Sequence, residues 1–466
     1  MDDPLLLITK SHILTLFSCV NIILLNRKMN KKPTISVRTL GCKLNQAESE
    51  ALSREFASAG YNVTSGDEAD VFILNTCSVT HGADRKARQQ LRMLRKLNPQ
   101  ALIVVTGCYA EWAGVALKEY GADMVVGNLE KASLPQMLED EITSVASRKS
   151  AGKVERPERT RSFIKIQDGC RNFCSYCIVP LLRSEVYSRE ADMVVEEIAA
   201  RVKDGYKEVV LTGTEIGSYD HDDAGLENLI GRILDETGIK RLHLSSLQPQ
   251  HITKSLLGLW KDPRLVRHFH IALQSGSDNV LKRMKRRYNT ARYENAVKMI
   301  RELVTDASIT TDVIVGFPGE TDEEFQKTYD FCARMYFTAM HVFVYSSRPG
   351  TLAAELPDKV SEKVKKERSV LMLDLAAHSA QESAERSIGQ IRSVLWENEV
   401  KPGSGVVQGL TDNYMRVYAL SNIDLTNTIS SARLTAPANS IANRAMRGST
   451  RGNNGELWSE LDEDKR

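Results

Sequence analysis

Residues 167–180, QDGCRNFCSYCIVP, place Cys170, Cys174 and Cys177 in a Cys-x3-Cys-x2-Cys spacing directly after an apolar strand signal, FIKIQ. Three ligands is the informative number. A structural zinc site closes its tetrahedron with four side chains, whereas a four-iron cluster held by three thiolates keeps one iron open to a small molecule. No fourth Cys or His lies close by in the sequence. Downstream the pattern repeats as EVVLTG, RLHLSS, HFHIAL, TTDVIVG and MHVFVYS, each run separated by a segment of helix length. Six strand-helix units predict a partial barrel of parallel strands, in which chemistry belongs at the carboxyl ends of the strands.

Upstream, ISVRTL, VFILNT and ALIVVTG alternate with helical segments near 47–59 and 83–97, with a further strand at 124–126 and a helix to about Val145. This predicts a separate parallel α/β sheet. Cys42, Cys77 and Cys108 each follow one of these strands, in TLGC, LNTC and VTGC. Strand ends on one edge of a parallel sheet lie together, so three thiolates would converge on a second open-sided cluster. A lone Cys is often only a small buried hydrophobe, a reading that suits Cys332 inside EEFQKTYDFCARM; Cys19 also stands outside any pattern.

The chain of 466 residues is too long for one core, and 42% hydrophobic with 26% charged residues is ordinary globular usage. A net charge of +2 does not by itself announce a nucleic-acid partner. Eight cysteines are too few for a disulfide scaffold and point to metal binding in a reducing, cytoplasmic compartment. The first residues are apolar from Pro4 to Leu25, but the start is acidic and Lys10, His12 and Asn21 interrupt the run. Residues 1–33 are therefore expected to be a mis-assigned leader, with Met29 the natural start, or else a weak hydrophobic anchor; stable membrane association is not expected. The remaining boundaries read as an amino-terminal domain at 34–146, a charged linker at 147–161, the cluster-bearing barrel at 162–378, a small all-β module at 385–440 and a polar tail at 441–466.

The cysteine spacing with Tyr176 resembles the radical S-adenosylmethionine superfamily. That resemblance implies that the open iron chelates S-adenosylmethionine and that one electron releases a deoxyadenosyl radical able to take hydrogen from an unactivated carbon. LGCKLNQAESE, NTCSVT, VTGCYAE, LTGTEIGSY, LQSGSDNVLKRMKRRY, DVIVGFPGETDEEF and HVFVYSSRPGTLAAE further resemble the methylthiotransferases. Among them LGCKLNQAE, NTCSVT and IGSY look like the branch that acts on threonylcarbamoyladenosine in tRNA; sister branches act on isopentenyladenosine in tRNA or on a ribosomal-protein aspartate.

The resemblance implies a flavodoxin-like amino-terminal domain, a partial (β/α)6 barrel and a TRAM-like RNA-binding barrel, of which GLTDNYMRVY is the best-matching piece. It also implies two four-iron clusters, S-adenosylmethionine, a tRNA anticodon loop as partner and a flavodoxin or ferredoxin as electron donor, leaving the sulfur donor unknown. Thr212, Gly213 and Glu215 stand where the superfamily meets the cofactor's amine. By position after or on strands, Gln274, Ser275 and Asp312 are further candidates, and for each a structural role in a turn competes with ligand contact.

Arg85, Lys86, Arg88, Arg92, Arg95 and Lys96 on one helix, and KRMKRRY ending in the stackable Tyr288, are candidate RNA contacts, with a solvated face as the alternative. The chain departs from the family where Arg183 is followed by Ser184, where Tyr187 precedes Ser188 and Arg189, and where Ala272 and Val344 replace proline. A non-catalytic iron-sulfur RNA binder or redox sensor would use the same six cysteines; cleavage of S-adenosylmethionine separates the two.

Overall fold

The computed structural model describes residues 33–143, 160–437 and 456–461. The leader before residue 33, most of the linker and most of the tail lie outside the described residues.

Five parallel strands form the amino-terminal sheet: β1 (Thr34–Thr39), β2 (Asn62–Thr64), β3 (Val71–Thr76), β4 (Leu102–Gly107) and β5 (Met124–Val126), in the order β2-β1-β3-β4-β5. Every residue of β3 is buried, because helices cover both faces. Leu52, Phe56, Leu134 and Leu138 pack on one face, and Ala87, Leu91, Leu94 and Tyr109 on the other. The chain reverses direction across the sheet between β1 and β3. This is the crevice where doubly wound sheets hold their ligands, and Cys42 and Cys77 stand at its mouth.

The second unit contains β6 (Arg161–Asp168), β7 (Tyr187–Ser188), β8 (Glu208–Gly213), a short hairpin of β9 (Asp220–His221) and β10 (Ala224–Gly225), β11 (Arg241–Leu244), β12 (Ser246–Leu247), β13 (His268–Ile271), β14 (Ser308–Val315) and β15 (Ala339–Val344). The run RLHLSS divides at Ser245: β11 pairs with β8, and β12 pairs with β13. Two sheets, β11-β8-β6-β7 and β12-β13-β14-β15, thereby share one curved wall of six parallel segments. Helices pack outside it around Val209, Leu211, Leu242, Phe269, Ile271 and Val313. One of them, Asp322–Arg334, opens on a capping box in which Thr321 and Glu324 satisfy each other's backbone donors, as the sequence TDEE directs.

The carboxy-terminal module is a closed barrel of β16 (Ile391–Glu399), β17 (Val406–Thr411), β18 (Arg416–Leu420), β19 (Ile429–Pro437) and β20 (Leu457–Leu461). Trp396, Val417, Leu434 and Leu457 fill its core. Its closing strand lies inside the segment that reads from sequence as a polar tail. LWSEL is too short and too far from β19 to be recognised without its partners, although Leu457 and Trp458 are buried in the barrel. Likewise β6 begins at Arg161, a residue the charge pattern assigns to the linker.

Charged side chains lock the three units together. Glu48, on the helix Lys43–Ser58, accepts both arms of Arg183 at 2.8 and 3.1 Å and the Lys131 ammonium at 2.5 Å. The same Arg183 donates to both oxygens of Asp168, at 2.9 and 2.8 Å, at the end of β6. Arg348, 1% exposed, reaches from beyond β15 to Asp84 at 2.6 Å and Ser78 at 2.8 Å. At the amino-terminal edge of the curved wall Tyr414, in a left-handed conformation (φ 71°), accepts from Arg161 and donates to Glu208, while Arg241 donates to the carbonyls of Leu410 and Thr411.

Burial alone would raise the Glu48 carboxyl, but Lys131, Arg183 and Lys165 outweigh it and hold it well below the usual carboxylate range. Its stabilising contribution is therefore complete above an unfolded-chain pKa near about 4.3 and is lost as pH falls through the lowered folded value. Glu48→Gln leaves two buried cations short of an anion and should cost about 3 kcal/mol at neutral pH. Urea unfolding should show this loss at pH 7 and a difference between variant and wild type that narrows as the solution is acidified; an unchanged midpoint at pH 7 would contradict the assignment.

Candidate active site

The amino-terminal cysteines sit on loops that the backbone leaves little freedom. Gly107 has φ 92°, and a Cβ there would collide with Asn75 and the Thr76 backbone, so only glycine delivers Cys108 to this place. Cys77 presses on the neighbouring loop, its Cβ only 2.7 Å from where a side chain on Gly41 would begin. Asn45 donates to the Thr76 carbonyl at 2.9 Å, and Asn75 donates to the Asn45 carbonyl at 2.9 Å and to Ser49 at 3.1 Å. Cys42 itself donates to Asn45 at 3.4 Å. Asn45 and Asn75, in LGCKLN and LNTC, thus tie the Cys42 and Cys77 loops together; the only local signal for either is that it stands within three residues of its cysteine.

The Cys170–Cys177 loop is braced by Gln167. Its amide donates to the Asp168 and Gly169 carbonyls at 2.8 and 2.7 Å and accepts from the Glu215 N–H at 2.7 Å. Gly169 (φ 73°) lies so close to the backbone of Glu185 that no side chain fits. Glu215 accepts from Cys170 at 3.4 Å through one oxygen and from Gln248 at 2.8 Å through the other. Arg286 donates to Cys174 at 3.2 Å and lies over the Tyr288 ring at 4.8 Å. Thr212 is buried on β8, and Gly213 lies where a Cβ would meet the Gln167 carbonyl at 2.6 Å.

Of the remaining candidates, Gln274 takes a left-handed conformation (φ 68°) and continues the wall by backbone bonds to Asp312 and Ile314. Ser275 is fully buried, its hydroxyl shared with Thr328 at 3.0 Å and the Ser277 N–H at 3.2 Å, so its part is to hold the turn. Asp312 faces inward, where one oxygen meets His270 at 3.1 Å and His341 at 3.2 Å. Burial would raise its carboxyl, but these two imidazoles prevail and lower it. The group His270, Asp312 and His341 escapes sequence reasoning because its members lie on three different strands.

One expectation is overturned. Tyr288 is buried, donates its hydroxyl to the carbonyls of Ala272 and Leu273, and supports Arg286, so it is not free to stack on a base. The basic run KRMKRRY folds back under the cysteine loop: Arg283 pairs with Glu324 and Arg286 reaches Cys174. The basic helix His81–Leu97 divides in two. Arg95 pairs with Asp123 and Arg88 lies over the Tyr120 ring, both half-buried, whereas Arg85, Lys86 and Lys96 are exposed, as is Arg92, which also lies over that ring.

The donor sets fit clusters better than single ions. Among the described residues no three cysteine sulfurs lie within 4.8 Å of one another, as a single tetrahedral ion requires. A four-iron cube instead takes one thiolate per iron and spreads its ligands around itself. Burial pushes the Cys77 and Cys177 thiols up to about 12 and Cys170 to about 11, so loading must displace their protons. The loops that carry the two triplets adjoin: Cys108 packs on Ile178, the residue after Cys177, and on Leu182. The departure after IVP does not open the loop, because Arg183 is buried against Glu48 and Asp168, and Arg189 binds Glu197 and the Lys165 carbonyl.

Residues 164–332 match the model of the radical SAM superfamily, and residues 34–127 match that of the uncharacterized protein family UPF0004. The chain is 37% identical over 401 residues to the threonylcarbamoyladenosine tRNA methylthiotransferase MtaB of Aquifex aeolicus, covering 82% of this chain and 96% of that one. It is 36% identical over 416 residues to MtaB of Bacillus subtilis (85% and 92%), and 34% identical over 393 residues to the tRNA-2-methylthio-N(6)-dimethylallyladenosine synthase of Pelotomaculum thermopropionicum (79% and 88%). Among solved structures, the radical S-adenosylmethionine methyltransferase TsrM from Kitasatospora setae superposes with a TM-score of 0.52 at 15% identity, over 69% of this chain and 77% of that one, a likeness of fold. A radical SAM domain joined to an amino-terminal sheet, with identity to these relatives running through both, makes this chain a member of the radical S-adenosylmethionine tRNA methylthiotransferase family.

Proposed function

We propose that this enzyme adds a methylthio group to C2 of threonylcarbamoyladenosine at position 37, beside the anticodon of tRNA. The observation that carries the reading is the packing of Cys108, from one cysteine triplet, against Ile178, the neighbour of Cys177 in the other, in a chain more than a third identical to MtaB enzymes over most of its length. Cys170, Cys174 and Cys177 hold one four-iron cluster, and Cys42, Cys77 and Cys108 hold the second. Bound there, the clusters and S-adenosylmethionine supply the carbon radical on one side and the sulfur to be transferred on the other.

The protein's own part is placement. Glu215 offers its carboxylate beside Cys170 as the acceptor for the cofactor's amine, with Gln248 and Gln167 fixing its orientation. The Arg286 guanidinium offsets negative charge at the Cys174 thiolate. The helix Lys43–Ser58 covers the open side of the wall, Ala47 packing on Phe163 and Val210, and so limits water in the lumen where a radical must survive. Arg85, Lys86 and Lys96, with the closed carboxy-terminal barrel, are the surfaces for tRNA backbone charge, and the electron is expected from a flavodoxin or ferredoxin.

Protein reconstituted without air should carry about eight irons; about four would mean that only one cluster forms. With reductant and S-adenosylmethionine it should release deoxyadenosine. Cys174→Ala should abolish that product, while Cys77→Ala should keep it and lose methylthio insertion. Nucleoside mass spectrometry on tRNA from a strain lacking the gene should show threonylcarbamoyladenosine without its methylthio form. Persistence of the methylthio form there would refute the substrate.

A further inference from the structure

Alternate residues of the curved wall point into its lumen, and these are unusually polar: Arg161 and Lys165 on β6, Glu208 on β8, Arg241 and His243 on β11, His268 and His270 on β13, Asp312 on β14 and His341 on β15. Nearly every charge among them is answered. Arg241 meets Glu208 at 3.1 Å, Arg161 meets Glu397 at 2.5 Å, Lys165 meets Asp168 at 3.1 Å, and Asp312 takes the two imidazoles. Tyr414 closes the floor, its ring 4.1 Å from His243 and 5.1 Å from His268.

One cation has no such partner. Lys43 opens the covering helix one turn before Ala47, whose methyl lies on the inward-facing Phe163 and Val210, and so shares the helix face turned to the lumen. Its charge acts on His243 and His268 and is acted on by Arg161, Glu208 and Asp312, all lining groups. Yet among the described residues no side chain gives it an ion pair or hydrogen bond, since Glu208 is engaged by Arg241 and Tyr414 and Asp312 by its two imidazoles, and it is only partly exposed. A cation withdrawn from water without a counter-ion is costly, and an anion delivered by a ligand relieves that cost.

Lys43 directly follows Cys42, so it stands on the boundary between the amino-terminal triplet and the lumen, where a base presented to both triplets must lie. A threonylcarbamoyl substituent ends in a carboxylate, whereas a dimethylallyl substituent is wholly apolar. We infer that Lys43 is the specificity contact that receives the carboxylate of the adenine's N6 side chain, with His270 and His341, both held by Asp312, forming the polar wall beside it. This rests on the substrate reading given above. It goes further in assigning the discrimination between acidic and prenylated adenosines to one ammonium in the lumen.

The test uses the reconstituted holoenzyme and three anticodon stem-loops whose target adenosine carries threonylcarbamoyl, its methyl ester, or dimethylallyl. Wild type should prefer the acid to the ester by roughly 30-fold in kcat/KM, the low end for removing one partner of a buried charge pair. Lys43→Arg should keep that ratio, and Lys43→Gln should bring it near one, chiefly through KM. Anisotropy binding of acid and ester stem-loops gives the same ratio where a variant turns over too slowly to assay. Equal use of acid and ester by wild type, or a wild-type ratio retained in Lys43→Gln, would overturn the inference. Wild type that modifies only the dimethylallyl stem-loop would instead overturn the substrate reading.

Discussion

The Glu48 carboxylate is the constraint on which the arrangement depends. It sits on the helix that Cys42 begins, and it grips Arg183, which in turn grips Asp168, two residues before Cys170. A buried anion between two buried cations is stable only in one geometry, because removing any member leaves an uncompensated charge in low dielectric. Its worth is therefore positional more than energetic. It fixes the amino-terminal sheet against the curved wall in the one orientation that sets Cys108 upon Ile178, the residue after Cys177.

That joint explains the division of labour between the domains. In each sheet the cysteines follow carboxyl ends of parallel strands, the edge where backbone polarity and loop freedom favour ligands. The wall alone would leave its lumen open to solvent. The helix Lys43–Ser58 covers it from the side and Tyr414 plugs it from below, so both neighbouring domains complete the cavity of the middle one. Arg348 makes a second joint at the top of β15, bonding Ser78, the residue after Cys77, and Asp84.

Much of this was legible in the chain. The strand-then-cysteine repeats marked both sheets and set Cys42, Cys77, Cys108 and Cys170 just past strand ends, because short apolar runs ending in Gly-Cys or Thr-Cys leave few alternatives. What escaped was whatever depends on meetings between distant segments. KRMKRRY reads as a solvated basic patch, yet its arginines turn inward to Glu324 and a cysteine, a placement set by tertiary packing and invisible to local charge pattern. His270, Asp312 and His341 come from three strands whose register no single stretch encodes. The fifth strand of the small barrel, LWSEL, carries only two large apolar residues and pairs with β18 and β19 from beyond a long polar segment.

The central claim is that two separate clusters, each gripped by three thiolates, face one another across the domain joint. Anomalous diffraction at the iron edge, from crystals grown without air, tests it directly. The account predicts two distinct iron centres, one enclosed by Cys42, Cys77 and Cys108 and one by Cys170, Cys174 and Cys177, each with one iron bonded to no side chain. A single centre, a zinc signal in place of iron, or a fourth side chain capping either cube would contradict it.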